Sequence, residues 1–289
     1  MRRRIVPYLL ISPVQALLVG VIGLPSLYVF FLAFTKSSFG QQPVWVGLTN
    51  FSTVLASKYF WTAFVNTVIV VNAVVYGELL LGLAVAYLFA TGVPLRRLMF
   101  SVVLAPYAIS PVVAVIIWRY LVEPDIGFVS RVLSSLGLPA LEWAVNRWHA
   151  LGVITLLSIW LHLPFTFVIL YSALISVPVE LFEAARVDGT SGWQEFWYVT
   201  LPSIMPAVLV AMLFRYVFAF RIFTEVWLLT AGGPVRQTEV LATFLYREGF
   251  RYQNFGVASA TGWLMVLASI LIASFYLYQM YRRMLARDA

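Results

Sequence analysis

A chain of 289 residues that is 62% hydrophobic, 16% aromatic and only 11% charged has too little polar surface to cover a soluble domain. With a mean hydropathy of +0.91 it reads as an integral membrane protein. The lack of cysteine excludes disulfides and thiolate metal sites, two histidines (His149 and His162) are too few for a histidine metal cluster, and a net charge of +7 reads as basic loops facing anionic lipid rather than as nucleic-acid binding.

Six apolar runs are each as long as the roughly 20 residues a helix needs to cross a bilayer. They span 8–34, 64–90, 98–122, 150–177, 204–230 and 257–278, and none alternates with the period of a membrane barrel. The expectation is an all-α integral membrane protein of six transmembrane helices forming one domain, 1–289.

The first run follows Arg2, Arg3 and Arg4. It exceeds the length of a signal segment and ends in no clear small-residue cleavage site, so it reads as a retained helix. The connection before the second run holds the turn formers Pro43, Gly47 and Asn50. The second run carries Glu78 and the weaker polar candidate Asn72, and Gln15 is a similar candidate in the first. Arg96 and Arg97 crowd the short connection that follows, whereas the next connection is long and rich in Pro124, Gly127, Gly137 and Pro139. The fourth run contains His162 just before Pro164; the fifth contains Arg215, Arg221 and Glu225. After the sixth come Arg282, Arg283 and Arg287. Basic residues are dense at both termini and in the second connection and sparser in the long ones, which places both termini and the second and fourth connections in the cytoplasm. The three outer connections are too short to be domains; they are either plain connectors or a modest surface for a partner.

The fourth connection, 178–202, is the one polar interruption of length on that side. It reads Glu183-Ala184-Ala185-Arg186-Val187-Asp188-Gly189 and later Val199-Thr200-Leu201-Pro202. Ser176 and Pro178 suit a helix start, Glu180 and Glu183 complement its dipole, and Gly189 suits its end. Ser191 with Gln194 makes a capping-box pattern for a second short helix, after which Thr200 and Pro202 are expected to open the fifth span. Ala184 and Ala185 would offer a small flat surface to a partner, with Glu183, Arg186 and Asp188 as charges at its edge. Trp193, Phe196 and Trp197 would lie at the membrane interface or pack beneath. The alternative is a solvated connector.

The spacing of that loop resembles the EAA loop of ABC-importer permeases. Further matches are Leu104-Ala105-Pro106-Tyr107 to Pro111, Trp118-Arg119-Tyr120, Pro124-Asp125-Ile126-Gly127, Leu229-Thr230-Ala231-Gly232-Gly233-Pro234, Tyr246-Arg247-Glu248-Gly249-Phe250 and Gly47-Leu48-Thr49-Asn50-Phe51. Together they are similar to carbohydrate-type permeases of type I ABC importers, the group that includes the maltose and glycerol-3-phosphate systems. The resemblance implies a five-helix core plus an N-terminal helix in a bacterial or archaeal inner membrane. It implies a second homologous permease, two ATPase subunits that bind ATP and Mg, and an external solute-binding protein. It also implies ATPase coupling through Glu183, Ala184, Ala185, Arg186, Asp188 and Gly189. The chain's only lysines, Lys36 and Lys58, lie outside any phosphate-loop pattern, so no cofactor is expected in this chain and it is not expected to be an enzyme.

Ionisable residues within spans are costly and are candidates for the solute path: Glu78, His162, Arg215, Arg221 and Glu225. Arg221 and Glu225, four apart, either neutralise each other or meet the solute. His162 either lines the path or is a buried, hydrogen-bonded histidine. Arg215 has alanines four residues away on both sides, so its counter-charge comes from another helix, a partner or an anionic solute. Arg119, near the outer end of its span, reads as an anchor for the loop. The rival function, an ion-coupled secondary transporter, would need coupling carboxylates and a repeat. Only Glu78 and Glu225 are at hand. A membrane enzyme would need a convergent acid, base or metal cluster, and none is visible.

Overall fold

The computed structural model describes residues 2–139 and 141–288. Helix α1 runs from Arg2–Leu18 through a π turn at Val19–Gly23 into Leu24–Ala33. Strands β1 (Thr35–Lys36) and β2 (Val44–Trp45) pair antiparallel, a small departure from the all-helical expectation. Then come α2 (Thr49–Ala56), α3 (Lys58–Thr91), α4 (Arg96–Leu104, ending in a 3-10 turn at Ala105–Ala108), α5 (Pro111–Leu121) and α6 (Phe128–Ser135). They are followed by α7 (Arg147–Ile175), α8 (Val179–Val187) and α9, which runs from Gly192–Glu195 through a π turn at Phe196–Thr200 into Leu201–Ala219. Last are α10 (Thr224–Thr230), α11 (Leu241–Tyr246, continued by a π turn at Arg247–Arg251) and α12 (Phe255–Asp288).

Five of these helices (α1, α3, α7, α9 and α12) are long and apolar enough to cross a membrane. The third expected span, 98–122, is not straight. Its two halves, Arg96–Ala108 and Pro111–Leu121, meet at 103°. Ile109 and Ser110 are extended, with ψ near 135°. Pro111 explains this, because a proline ring drives the residue before it out of the helical region yet suits the first turn of a new helix. The fifth expected span also stops short. α9 ends at Ala219, and Phe220–Phe223 separate it from α10.

Two compact units are present. One holds the N-terminal residues through Trp61 together with Phe244–Val266; the other holds Thr62–Thr243 and the residues from Leu267 onward. In the first, Asn50 ties α2 to the end of α1 by donating to the carbonyls of Ala33 and Thr35, at 2.9 and 2.8 Å. Phe30 meets Trp263 edge to face at 4.9 Å.

The second unit carries the core that positions the site. Val70 and Val74 of α3, Val115 of α5, Ala150, Ile154 and Leu157 of α7, and Val226 and Leu229 of α10 pack together with Trp143. α3 and α7 approach closely because Gly82 leaves room: a Cβ there would meet Thr166 Cγ2 at 3.1 Å and the Phe167 amide at 3.4 Å. Small residues serve this purpose between membrane helices. Arg119 lies 5.7 Å from the Trp143 ring, and Trp143 donates to the Val122 carbonyl at 3.1 Å, so Arg119 does anchor the loop after α5.

Candidate coupling surface and solute path

α8 is a short helix with a well-built end. Gly189 follows it at φ +78°, a left-handed conformation that penalises any Cβ. The Gly189 amide donates to the Arg186 carbonyl and the Thr190 amide to that of Ala185, both at 3.1 Å, the double closure of a Schellman turn. Ser191 then starts α9 with the expected capping box: its amide donates to Gln194 Oε1 at 2.8 Å, and the Gln194 amide donates back to Ser191 Oγ at 3.4 Å. Arg186 Nε donates to Glu195 Oε2 at 3.2 Å and ties α8 to α9.

Glu183, Ala184, Arg186, Asp188 and Gly189 are exposed on one short stretch, as a docking surface requires. Two expectations are corrected. Ala185 is buried, since its side chain faces the body of the unit, so the small flat surface reduces to Ala184. The second short helix is not separate from the fifth span either: α9 continues from Gly192 to Ala219. Pro202 would clash with the carbonyl a turn earlier in a regular helix, and the widened π turn at Phe196–Thr200 accommodates it. Trp193 and Trp197 are exposed, whereas Phe196 packs edge-on against Tyr87 of α3 at 5.6 Å.

Farther along α9 lies a cavity of about 340 Å³. Its walls include His162, Arg215, Arg221 and Glu225, four of the five path candidates, brought together from α7, α9, the break after α9, and α10. Tyr107, Phe165, Phe218 and Phe223 add aromatic faces. The fifth candidate, Glu78, stands behind Arg215. Arg215 Nη2 donates to Glu78 Oε1 at 2.6 Å and its Nε donates to Oε2, a two-pronged ion pair between α9 and α3. Another helix thus supplies the counter-charge of Arg215, and the inference from Arg215 to an anionic solute loses its basis. Thr166 adds a longer contact to Glu78 at 3.4 Å.

Arg221 and Glu225 do not form an ion pair among the described residues. The break after Ala219 takes Arg221 off the helix that bears Glu225, so the four-residue spacing no longer puts them on one face. Arg221 is exposed and Glu225 buried, both at the cavity wall. His162 shares its Nδ1 with the Ser158 carbonyl one turn back, at 2.9 Å, within its own helix. The Ser158 hydroxyl is buried at the same wall with no hydrogen-bond partner among the described residues. Sequence reasoning missed Ser158, because a serine in an apolar run carries no charge to mark it. Asn72 is engaged elsewhere and accepts from the Tyr216 hydroxyl at 2.7 Å. Gln15 is exposed on α1.

A multi-span helical protein with a capped, exposed helix joined to a cavity-lining span has the architecture of a membrane permease. Residues 78–286 match the family described as binding-protein-dependent transport system inner membrane component, and the chain belongs to that family. The trehalose transport system permease protein SugA of Mycobacterium tuberculosis is 32% identical over 282 residues, covering 95% of this chain and 90% of its own. The diacetylchitobiose uptake system permease protein DasB of Streptomyces coelicolor is 31% identical over 280 residues, covering 94% of this chain and 85% of its own. Among solved structures, a chain of a bacterial alginate ABC transporter, crystallised with an alginate pentasaccharide-bound periplasmic protein, superposes with a TM-score of 0.82 at 23% identity. That likeness covers 97% of this chain and 96% of the other and confirms the type I importer fold. The chain is therefore a multi-pass inner membrane permease component of an ABC importer. Nothing in these likenesses supports the ion-coupled rival, and one of its two carboxylates, Glu78, is held in an ion pair.

Proposed function

We propose that this chain forms half of the path of an ATP-driven saccharide importer, paired with a second homologous permease. Two ATPase subunits hold ATP and Mg and dock on α8, and an external binding protein delivers the solute to the opposite side. Both termini and α8 face the cytoplasm. Relatives named for trehalose and diacetylchitobiose, and a structural neighbour bound to alginate-loaded protein, support the saccharide class.

One observation carries the reading. The exposed α8 is tied by Arg186–Glu195 to α9, and α9 runs without a break to Arg215 at the cavity wall. A push on α8 therefore reaches the path through a continuous helix, which is the linkage alternating access requires. In the cavity, Arg215 is neutralised by Glu78, and Arg221 and Glu225 balance in formal charge. Aromatic faces, the Ser158 hydroxyl and the Glu225 carboxylate suit a neutral saccharide, whose hydroxyls need acceptors and whose ring faces stack on π surfaces.

The test is purification of the tagged chain from its native host, with uptake measured in Glu183→Ala and Gly189→Asp variants. An ATPase and a second permease should co-purify with the wild type, and both variants should insert normally yet lose most uptake. Recovery of the chain without an ATPase, or normal uptake by both variants, would sink the coupling role. Glu225→Gln should weaken uptake of a neutral saccharide while leaving the ATPase association intact.

A further inference from the structure

Arg96 and Arg97 open α4, and the end of the unit they occupy can be located. The Arg96 guanidinium lies over the Tyr171 ring, 5.5 Å from its centre. Tyr171 is one turn from the end of α7, directly before α8. The arginine pair therefore lies at the coupling-surface end.

A groove of about 480 Å³ runs down from the pair, lined by Arg96, Arg97, Phe100, Ser101 and Leu104. Both arginines are exposed, and no described carboxylate forms an ion pair with either. Below them the lining turns apolar. Phe100 is fixed in place by edge-on contacts to Phe89, Phe167 and Tyr171 at 5.6, 5.2 and 5.5 Å. Two cations above a firm apolar wall at a membrane boundary complement a ligand with an anionic head and a hydrocarbon tail. A soluble anion would satisfy the head alone and leave Phe100 and Leu104 uncovered. Among the described residues no side chain caps the start of α4, so its first amides add partial positive charge at the same place.

We propose that this groove binds one anionic phospholipid of the leaflet at the coupling-surface end. Its phosphate sits on Arg96 and Arg97, whose planar guanidinium groups match phosphate oxygens, and an acyl chain lies along Phe100 and Leu104. The ring cluster of Phe89, Phe100, Phe167 and Tyr171 joins α3, α4 and α7 just before α8, so an occupied groove steadies the base on which the coupling helix stands. The solute plays no part in this proposal, which therefore stands or falls apart from the saccharide reading.

The experiment is native mass spectrometry of the full chain from mixed micelles holding equal phosphatidylglycerol and phosphatidylcholine. The wild type should retain one phosphatidylglycerol in preference to phosphatidylcholine by about thirtyfold, since each of the two arginines near a lipid surface is worth on the order of 1 kcal/mol. Arg96→Gln with Arg97→Gln should erase the preference, Arg96→Lys with Arg97→Lys should keep part of it, and Arg282→Gln should leave it unchanged. A millimolar excess of glycerol phosphate should not displace the lipid. Thermal melting of each variant checks that it is folded. Equal retention of both lipids, a preference that survives the double glutamine variant, an equal loss in Arg282→Gln, or displacement by glycerol phosphate would each overturn the proposal.

Discussion

Glu78 and Arg215 lie 137 positions apart, and each alone would be an uncompensated charge inside a membrane span. Glu78 is fully buried and Arg215 nearly so, which makes the pair a structural joint between α3 and α9. Removing one partner strands the other charge, a loss of about 3–5 kcal/mol, whereas replacing both by apolar residues of similar volume is often nearly neutral. Glu78→Ala should therefore sharply lower the thermal midpoint of the detergent-solubilised chain, and Glu78→Met with Arg215→Met should recover most of it. Equal damage in the single and double variants would show that the charges serve something other than each other. Both residues were legible as candidates, because a charge in an apolar run is conspicuous. Their pairing was not, because it depends on how two distant helices align. Ser158 was invisible for a related reason: a hydroxyl becomes noteworthy only once it is seen to be buried and unpartnered.

Among the elements, the breaks matter as much as the helices. The bend between α4 and α5 had its signal in Pro106 and Pro111, although the run 98–122 by itself reads as one span. The break after α9 has no such signal. Phe220–Phe223 contain neither glycine nor proline, and the helix yields there because Ile222, Val226 and Leu229 all join the core of the second unit. Tertiary burial overrides helix propensity at that point. The α3–α7 contact can be tested directly at Gly82. Gly82→Leu forces a side chain against Thr166 and the Phe167 backbone, and overpacking of this kind costs about 1–3 kcal/mol. Lower expression and a reduced melting temperature should follow, with Gly20→Leu on α1, where nothing lies within 4 Å of an added Cβ, as the tolerant comparison. If both substitutions behave alike, α3 and α7 do not pack as described.

For the molecule as a whole, the lack of native cysteine makes sidedness directly measurable, since any single introduced thiol is the only one. Asp188 and Val235 are both exposed and lie in connections expected on opposite sides. In intact spheroplasts an impermeant maleimide should label Val235→Cys at once and Asp188→Cys only after permeabilisation; the reverse order would invert the proposed orientation. The sequence by itself determined that this chain lives in a membrane as a helical bundle, and that its polar loop has the stop and start chemistry of a short helix between two spans. Composition, run length and local capping are properties of neighbouring residues and can be read in order along the chain. Only the tertiary structure decided that Ala185 faces inward, that Glu78 answers Arg215, that Arg221 and Glu225 part company, and that α8 connects through α9 to a cavity. Each of these depends on which faces of distant helices meet, and an almost uniformly apolar sequence leaves those faces unmarked.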